Sequence, residues 1–147
     1  MRLILTVLSL FIAQAAVAQS VQECDWRARA DAIAEPWSEN TRTFANGDVR
    51  LALIDIGEPA VGGYHILILS PPYGDGGWRQ CRVLTYQDIG FGGVEFDMLE
   101  AEYDPARGLV FYLPVSVAGQ DGYQTDRELT FQLNQATGEI LSLLSRY

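Results

Sequence analysis

From Thr41 onward, apolar and polar residues alternate along the chain with a period near two, and turn-forming residues recur at short intervals. That pattern predicts β-strands, which send successive side chains to opposite faces of a sheet. Asn46-Gly47 is a two-residue hairpin signal between a short strand over 41–45 and a longer one over 48–56. The longer strand is apolar on both sides, with Val49, Leu51 and Leu53 opposed to Ala52, Ile54 and Ile56. Residues 64–69 are equally two-sided and run into Pro71-Pro72 and a glycine-rich loop. Strands covered on both faces imply two packed layers.

Further along, 78–87 reads as a strand with Cys81, Val83 and Thr85 on one face. Val94, Phe96 and Met98 share one parity whereas Leu99, Ala101 and Tyr103 share the other, and a β-bulge near Met98-Leu99 is expected to switch the buried face. Asp104-Pro105-Ala106-Arg107-Gly108 carries turn chemistry ahead of a strand over 109–117. Leu129, Phe131 and Leu133 then alternate with Glu128, Thr130 and Gln132, and the turn 134–138 leads to a last strand over 139–144.

The period before Thr41 is different. Ser20 with Glu23 matches a capping box, and good helix formers continue to Glu35 before Pro36. A helix over 21–35 is predicted, with Asp25–Arg29 and Arg27–Asp31 ion pairs and a Trp26, Ala30, Ile33 stripe packed on a sheet. On such a helix Cys24 lies far around the barrel from Trp26, so the helix is either pinned from its first turn or begins later. The fold class is therefore mainly β: a single antiparallel β-sandwich or barrel-like meander of about seven to eight strands with one N-terminal α-helix.

Residues 1–18 change the picture of where this domain acts. Arg2, the apolar run 3–13 and Ala16-Val17-Ala18 have the order of a cleaved signal peptide. The apolar run is shorter than the about 20 residues a membrane span needs. Cleavage before Gln19 leaves 19–147 as a single disulfide-linked β-rich domain with no stable membrane anchor, periplasmic or secreted. The only two cysteines, Cys24 and Cys81, are then expected to pair, since an oxidising compartment favours a bridge and one connectivity exists. Closing that loop contributes about 4 kcal/mol in the chain-entropy account, against a typical folding margin of about 5 to 15 kcal/mol.

Composition narrows the chemistry. A net charge of −9 opposes a phosphate-tracking surface and so a nucleic-acid partner. Every basic residue is arginine, which removes Schiff-base lysines and P-loop lysines. A single histidine, His65, excludes multi-histidine metal centres, and no cofactor motif is present. His65 sits in an apolar strand without a G-x-S-x-G around Ser70 or Ser116, so a structural role is expected.

Glu95, Asp97, Glu100, Glu102 and Asp104 form an acid-rich segment that alternation divides between faces, consistent with a solvated edge. Asp121, Asp126 and Glu128 lack calcium-loop register. The remaining feature is a set of rings in glycine-rich loops: Tyr73, Asp75 and Trp78, then Phe91, then Tyr123. Such rings on a rigid scaffold stack on carbohydrate or anchor another envelope protein. A non-enzymatic binding module using these loops is expected; the alternatives are a small carboxylate-dependent hydrolase built on 95–102 or a structural accessory subunit of an envelope assembly.

Overall fold

A computed structural model of the protein describes residues 19–146. The signal-peptide reading of 1–18 lies outside the described residues. Among the described residues, ten strands build two antiparallel five-stranded sheets. In chain order they are β1 (Ser20–Glu23), β2 (Thr41–Phe44), β3 (Val49–Asp55), β4 (Tyr64–Tyr73), β5 (Arg79–Thr85), β6 (Gly93–Val94), β7 (Glu100–Asp104), β8 (Gly108–Ala118), β9 (Gln124–Leu133) and β10 (Ile140–Ser145). The first sheet runs β1-β5-β4-β3-β2, and the second runs β10-β9-β8-β6 with β7 also paired to β8.

The sheets enclose one core. Leu51, Leu53, Ile66, Ile68 and Leu84 of the first meet Phe111, Leu113, Leu129, Phe131 and Leu133 of the second. Phe111 stacks on Phe131 with ring centroids 4.7 Å apart and receives the edge of Phe44 at 5.0 Å. Each such side chain contributes about 1.5 to 3 kcal/mol by leaving water, so the two-layer arrangement follows from the period-two pattern.

The outer face of the first sheet is apolar as well, and its cover differs from the expected one. No helix forms over 21–35. Residues 20–23 are strand β1, paired antiparallel with β5, and the only helical turn among the described residues of this segment is a 3-10 turn at Ala30–Ala32. Tertiary pairing outcompetes the capping box: Ser20 and Glu23 pair with Thr85 and Arg82 of β5, and beyond β1 the Asp25 carboxylate accepts from the backbone N–H of Arg27 at 3.0 Å and from its guanidinium. The ion pairs are Asp25–Arg27 and Arg29–Asp31, two residues apart rather than four. Trp26 is exposed, whereas Ala28, Ala32 and Ile33 pack on Ala52, Ile54, Leu67 and Val83.

The cover is thus an irregular strap fastened at both ends. At its start Cys24 continues the β1 ladder, its N–H donating to Cys81 O at 3.2 Å, and the two sulfurs form the disulfide with Cα atoms 5.3 Å apart. At its far end Ile33 bridges Ile54 and Ala34 N–H donates to Leu53 O at 2.9 Å. Between these points the strap crosses the outer face from β5 to β3.

Three other details depart from the sequence pattern. The turn after β2 is wider than a two-residue hairpin, because Ala45 and Asn46 both take positive φ and Phe44 pairs with Val49. Strand β4 passes through Pro71-Pro72, where a register shift between Ser70 and Tyr73 removes the ladder bonds that proline cannot make. The parity switch near Met98 is a 3-10 turn at Phe96–Met98 that splits one edge strand into β6 and β7. Together with β1, this split raises the strand count from the expected seven to eight to ten.

Replacing both Cys24 and Cys81 with serine is expected to lower stability by about 2 to 5 kcal/mol in urea unfolding. A loss below about 1 kcal/mol would mean that packing alone holds the strap.

Candidate functional site

The β4–β5 hairpin carries the most exposed large ring near a concavity. Its turn is closed by Gly77 N–H donating to Gly74 O at 2.8 Å and Gly74 N–H donating to Trp78 O at 2.9 Å, with Gly77 at φ +75°. A side chain at Gly76 would meet Trp78 Cδ1 at 2.9 Å, so the bare backbone there is what the edge of the indole rests against. Trp78 is nonetheless 81% exposed.

The hairpin is braced from beneath. The Tyr73 hydroxyl donates to Asp48 Oδ1 at 2.7 Å, and that bond raises the phenol above its ordinary pKa. Arg79 donates to the backbone carbonyls of Asp48 and Gly47 at 2.7 and 3.0 Å, while its guanidinium lies 5.5 Å from the Tyr73 ring centroid. These bonds tie the β4–β5 hairpin to the β2–β3 turn.

Beside Trp78 lies a cavity of about 560 Å³ whose lining includes Tyr73, Gln80, Arg82, Glu23 and Thr137. Arg82 pairs with Glu23 at 2.6 Å, and the Gln80 amide donates to Ser70 Oγ and Gly138 O at 2.9 Å each. Donors and acceptors therefore stand beside an exposed aromatic face. The periodicity concealed Glu23, Gln80, Arg82 and Thr137, because Glu23 fell in the expected helix and the others are spread over β5 and the β9–β10 turn. Strand parity of Gln80 and Arg82, shared with buried Leu84, was the available signal.

The other ring-bearing loops do not join this site. Asp75 is exposed on the hairpin tip, but Phe91 is fully buried in the core with its ring 6.3 Å from Tyr86, so it offers no face to a ligand. Tyr123 is 75% exposed on the β8–β9 turn, at the opposite end of the sandwich. Gln124 fixes that end by donating to Val61 O at 3.1 Å, whereas the Gln80–Gly138 bond marks the Trp78 end. The expected cluster of loop rings is thus divided, and the two that line one concavity are Tyr73 and Trp78.

The acid-rich segment is dispersed in a similar way. Glu102 accepts from the Tyr112 hydroxyl at 2.7 Å and faces Arg107, and Asp104 caps its own turn through the N–H groups of Ala106 and Arg107. These bonds hold the Asp104 carboxyl below the usual range, the Ala106 N–H contributing most. Glu95 and Asp126 line one cavity of about 400 Å³, and Glu100 and Glu128 line a smaller one that shares Met98 and Pro114. Among the described residues no hydrogen bond orients the carboxylate of Glu95 or Asp126. Asp121 accepts from Tyr123 N–H at 3.1 Å, a local turn bond.

His65 is sealed under the strap. Its Nδ1 lies 2.9 Å from Thr85 Oγ1, and its Nε2 has no hydrogen-bond partner among the described residues. Burial pushes its pKa down to about 4, the nearby Arg27 charge adds to the drop, and Asp25 opposes it. Arg27, itself buried, is neutralised by Asp25 at 2.7 Å and also donates to Gln22 Oε1 at 2.6 Å. The bond from Arg27 in turn lowers the Asp25 carboxyl below its ordinary value. Ser70 sits on the other face of the same strand and Ser116 on the other sheet, so neither of these serines pairs with His65.

No protein-family model matches the chain, and no characterised protein or solved structure does either.

The sealed imidazole makes stability depend on acid. An unfolded histidine titrates near 6.5 and the folded His65 near 4. Between those values the unfolded chain holds the extra proton, so the stability present above pH 6.5 is lost progressively as pH falls toward 4. The loss amounts to about 3 kcal/mol; Asp25 adds to it only below pH 3.8. Urea unfolding across this range is expected to show the slope, and His65→Gln to flatten it. An NMR titration in which the native imidazole protonates near pH 6.5 would contradict the account.

Proposed function

We propose that this protein is an exported, non-enzymatic domain that binds a saccharide at the Tyr73–Trp78 hairpin. The observation that carries the reading is the pose of Trp78: a large ring left 81% in water on a hairpin that Tyr73 and Arg79 hold in place. An indole face packs against the apolar C–H face of a sugar ring. The adjacent Arg82–Glu23 pair, the Gln80 Oε1, whose amide nitrogen is already bonded to Ser70 and Gly138, and Thr137 line the cavity where its hydroxyl groups would lie. A pre-braced loop loses little freedom on binding, which favours affinity from a small surface.

A protein partner would draw on a wider apolar patch, and the burial of Phe91 and the distance of Tyr123 argue for the smaller ligand. Export rests on the pattern of residues 1–18. The Cys24–Cys81 disulfide is compatible with an oxidising extracellular or periplasmic compartment.

The test is a ¹⁵N NMR titration with chito-oligosaccharides, β-glucan oligomers and dextran oligomers, following the three indole N–H signals separately. Saturable shifts confined to Trp78 and the 73–82 backbone are expected for at least one series, with Trp78→Ala weakening binding by at least about tenfold, equivalent to about 1.4 kcal/mol. Gly76→Ala, which displaces the indole, is expected to weaken it as well. Absence of shifts at Trp78 with all three, or binding unchanged in Trp78→Ala, would overturn the proposal.

A further inference from the structure

The two sheets expose four edges, and three of them are blunted against strand addition. Strand β1 has four residues and ends on Glu23; β2 has four and carries Arg42. The β6–β7 edge is interrupted by the Phe96–Met98 turn and carries Glu100, Glu102 and Asp104. Strand β10 has none of these devices. Its six residues, Ile140–Ser145, include no charge, proline or glycine, and Leu141 and Leu143 are 49% and 64% exposed on the outer face. Unpaired, uncharged edges of this kind are templates for another strand.

The backbone fixes how a strand would add. Asn134 N–H donates to Glu139 O at 3.0 Å, and the antiparallel alternation from that bond turns the backbone of Leu141 and Leu143 toward β9. The N–H and C=O groups of Ile140, Ser142 and Leu144 then face away from β9, along an edge that β1 of the first sheet approaches without pairing to it. A two-fold axis through Ser142, perpendicular to the sheet, matches these groups to their own copies: Ser142 with Ser142, and Ile140 with Leu144.

The same register sets Leu141 of one copy opposite Leu143 of the other, so four exposed leucines close over one another on the outer face. Charge at the strand ends favours this direction. Glu139 precedes the strand and Arg146 follows it, so an antiparallel copy brings the acid of one chain beside the base of the other at both ends. Parallel addition would place like charges together. In a protein of net charge −9, this uncharged strip with complementary ends is where a second copy approaches at least electrostatic cost.

We infer that the protein self-associates through β10, joining the second sheets of two copies into one continuous ten-stranded sheet. A strand-to-strand seam is small beside standard interfaces of about 1,600 Å², so the dimer forms in a concentration-dependent manner. The test is sedimentation velocity on the disulfide-intact protein from about 10 μM to 1 mM, a range suited to modest affinities. It is paired with amide hydrogen exchange at both limits.

A monomer–dimer transition is expected, with exchange slowed in the dimer at Ile140, Ser142 and Leu144 and unchanged at Leu141 and Leu143. Leu141→Lys with Leu143→Lys replaces only exposed side chains and is expected to weaken association at least tenfold while leaving Tm nearly unchanged. Ser142→Pro, which removes an N–H facing away from β9, is expected to do the same. A strict monomer throughout the range would overturn the inference. A dimer that survives both variants, or that protects a different segment, would overturn it too.

Discussion

The outer face of the first sheet has to be kept from water, and the rest of the molecule is organised around that requirement. Ile54, Leu67 and Val83 project from the side opposite the inter-sheet core, so a two-sheet sandwich alone leaves a second apolar surface uncovered. The segment from Cys24 to Ala34 supplies the cover with almost no regular structure of its own. An irregular segment gains little from internal hydrogen bonding, so anchorage must come from outside it. The disulfide to Cys81 holds one end, the backbone bond to Leu53 the other, and the buried Arg27 with Asp25 and Gln22 the region between. Sealing this face is also what strips His65 of solvent and leaves one of its nitrogens without a partner among the described residues.

Much of this architecture was legible in the residues. The two-sided apolarity of 48–56 and 64–69 announced that both faces would be covered, and the expected Cys24–Cys81 pairing tied the N-terminal segment to the strand that carries Cys81. The turn chemistry of Asp104 to Gly108 appears as written, with Asp104 accepting from two backbone N–H groups. The helix failed for a definable reason. Residues 21–35 have helical propensity, but propensity amounts to a few tenths of a kcal/mol per residue, while Cys24 is fixed opposite Cys81 on a strand. Tertiary pairing decided the outcome, and the capping-box residues Ser20 and Glu23 became the ends of β1.

The candidate site was legible only in fragments. Tyr73, Trp78, Phe91 and Tyr123 share the same local context of adjacent glycines, which reports a permissive backbone and says nothing of which end of the sandwich each loop occupies. Strand order separates Tyr123 from Trp78, and the pairing of Phe91 with Tyr64 draws that ring inward. Glu23 and Arg82 meet only because β1 lies beside β5. The brace under Trp78 likewise needs the β2–β3 turn to reach the β4–β5 hairpin, a relation that no local pattern encodes. The two proposed surfaces are held by different elements, the hairpin by the first sheet and the β10 edge by the second.

The dependence of the fold on the strap can be read directly by peptide-resolved hydrogen exchange on the native protein before and after reduction of its single disulfide. With the bond intact, 24–34 is expected to exchange as slowly as the strands it covers. After reduction, protection is expected to fall together over 24–34 and over the covered parts of β3, β4 and β5, while β8 and β9 retain theirs longest. Rapid exchange of the strap in the oxidised protein, or unchanged protection across the first sheet after reduction, would contradict the claim that a covalently anchored cover holds this fold together.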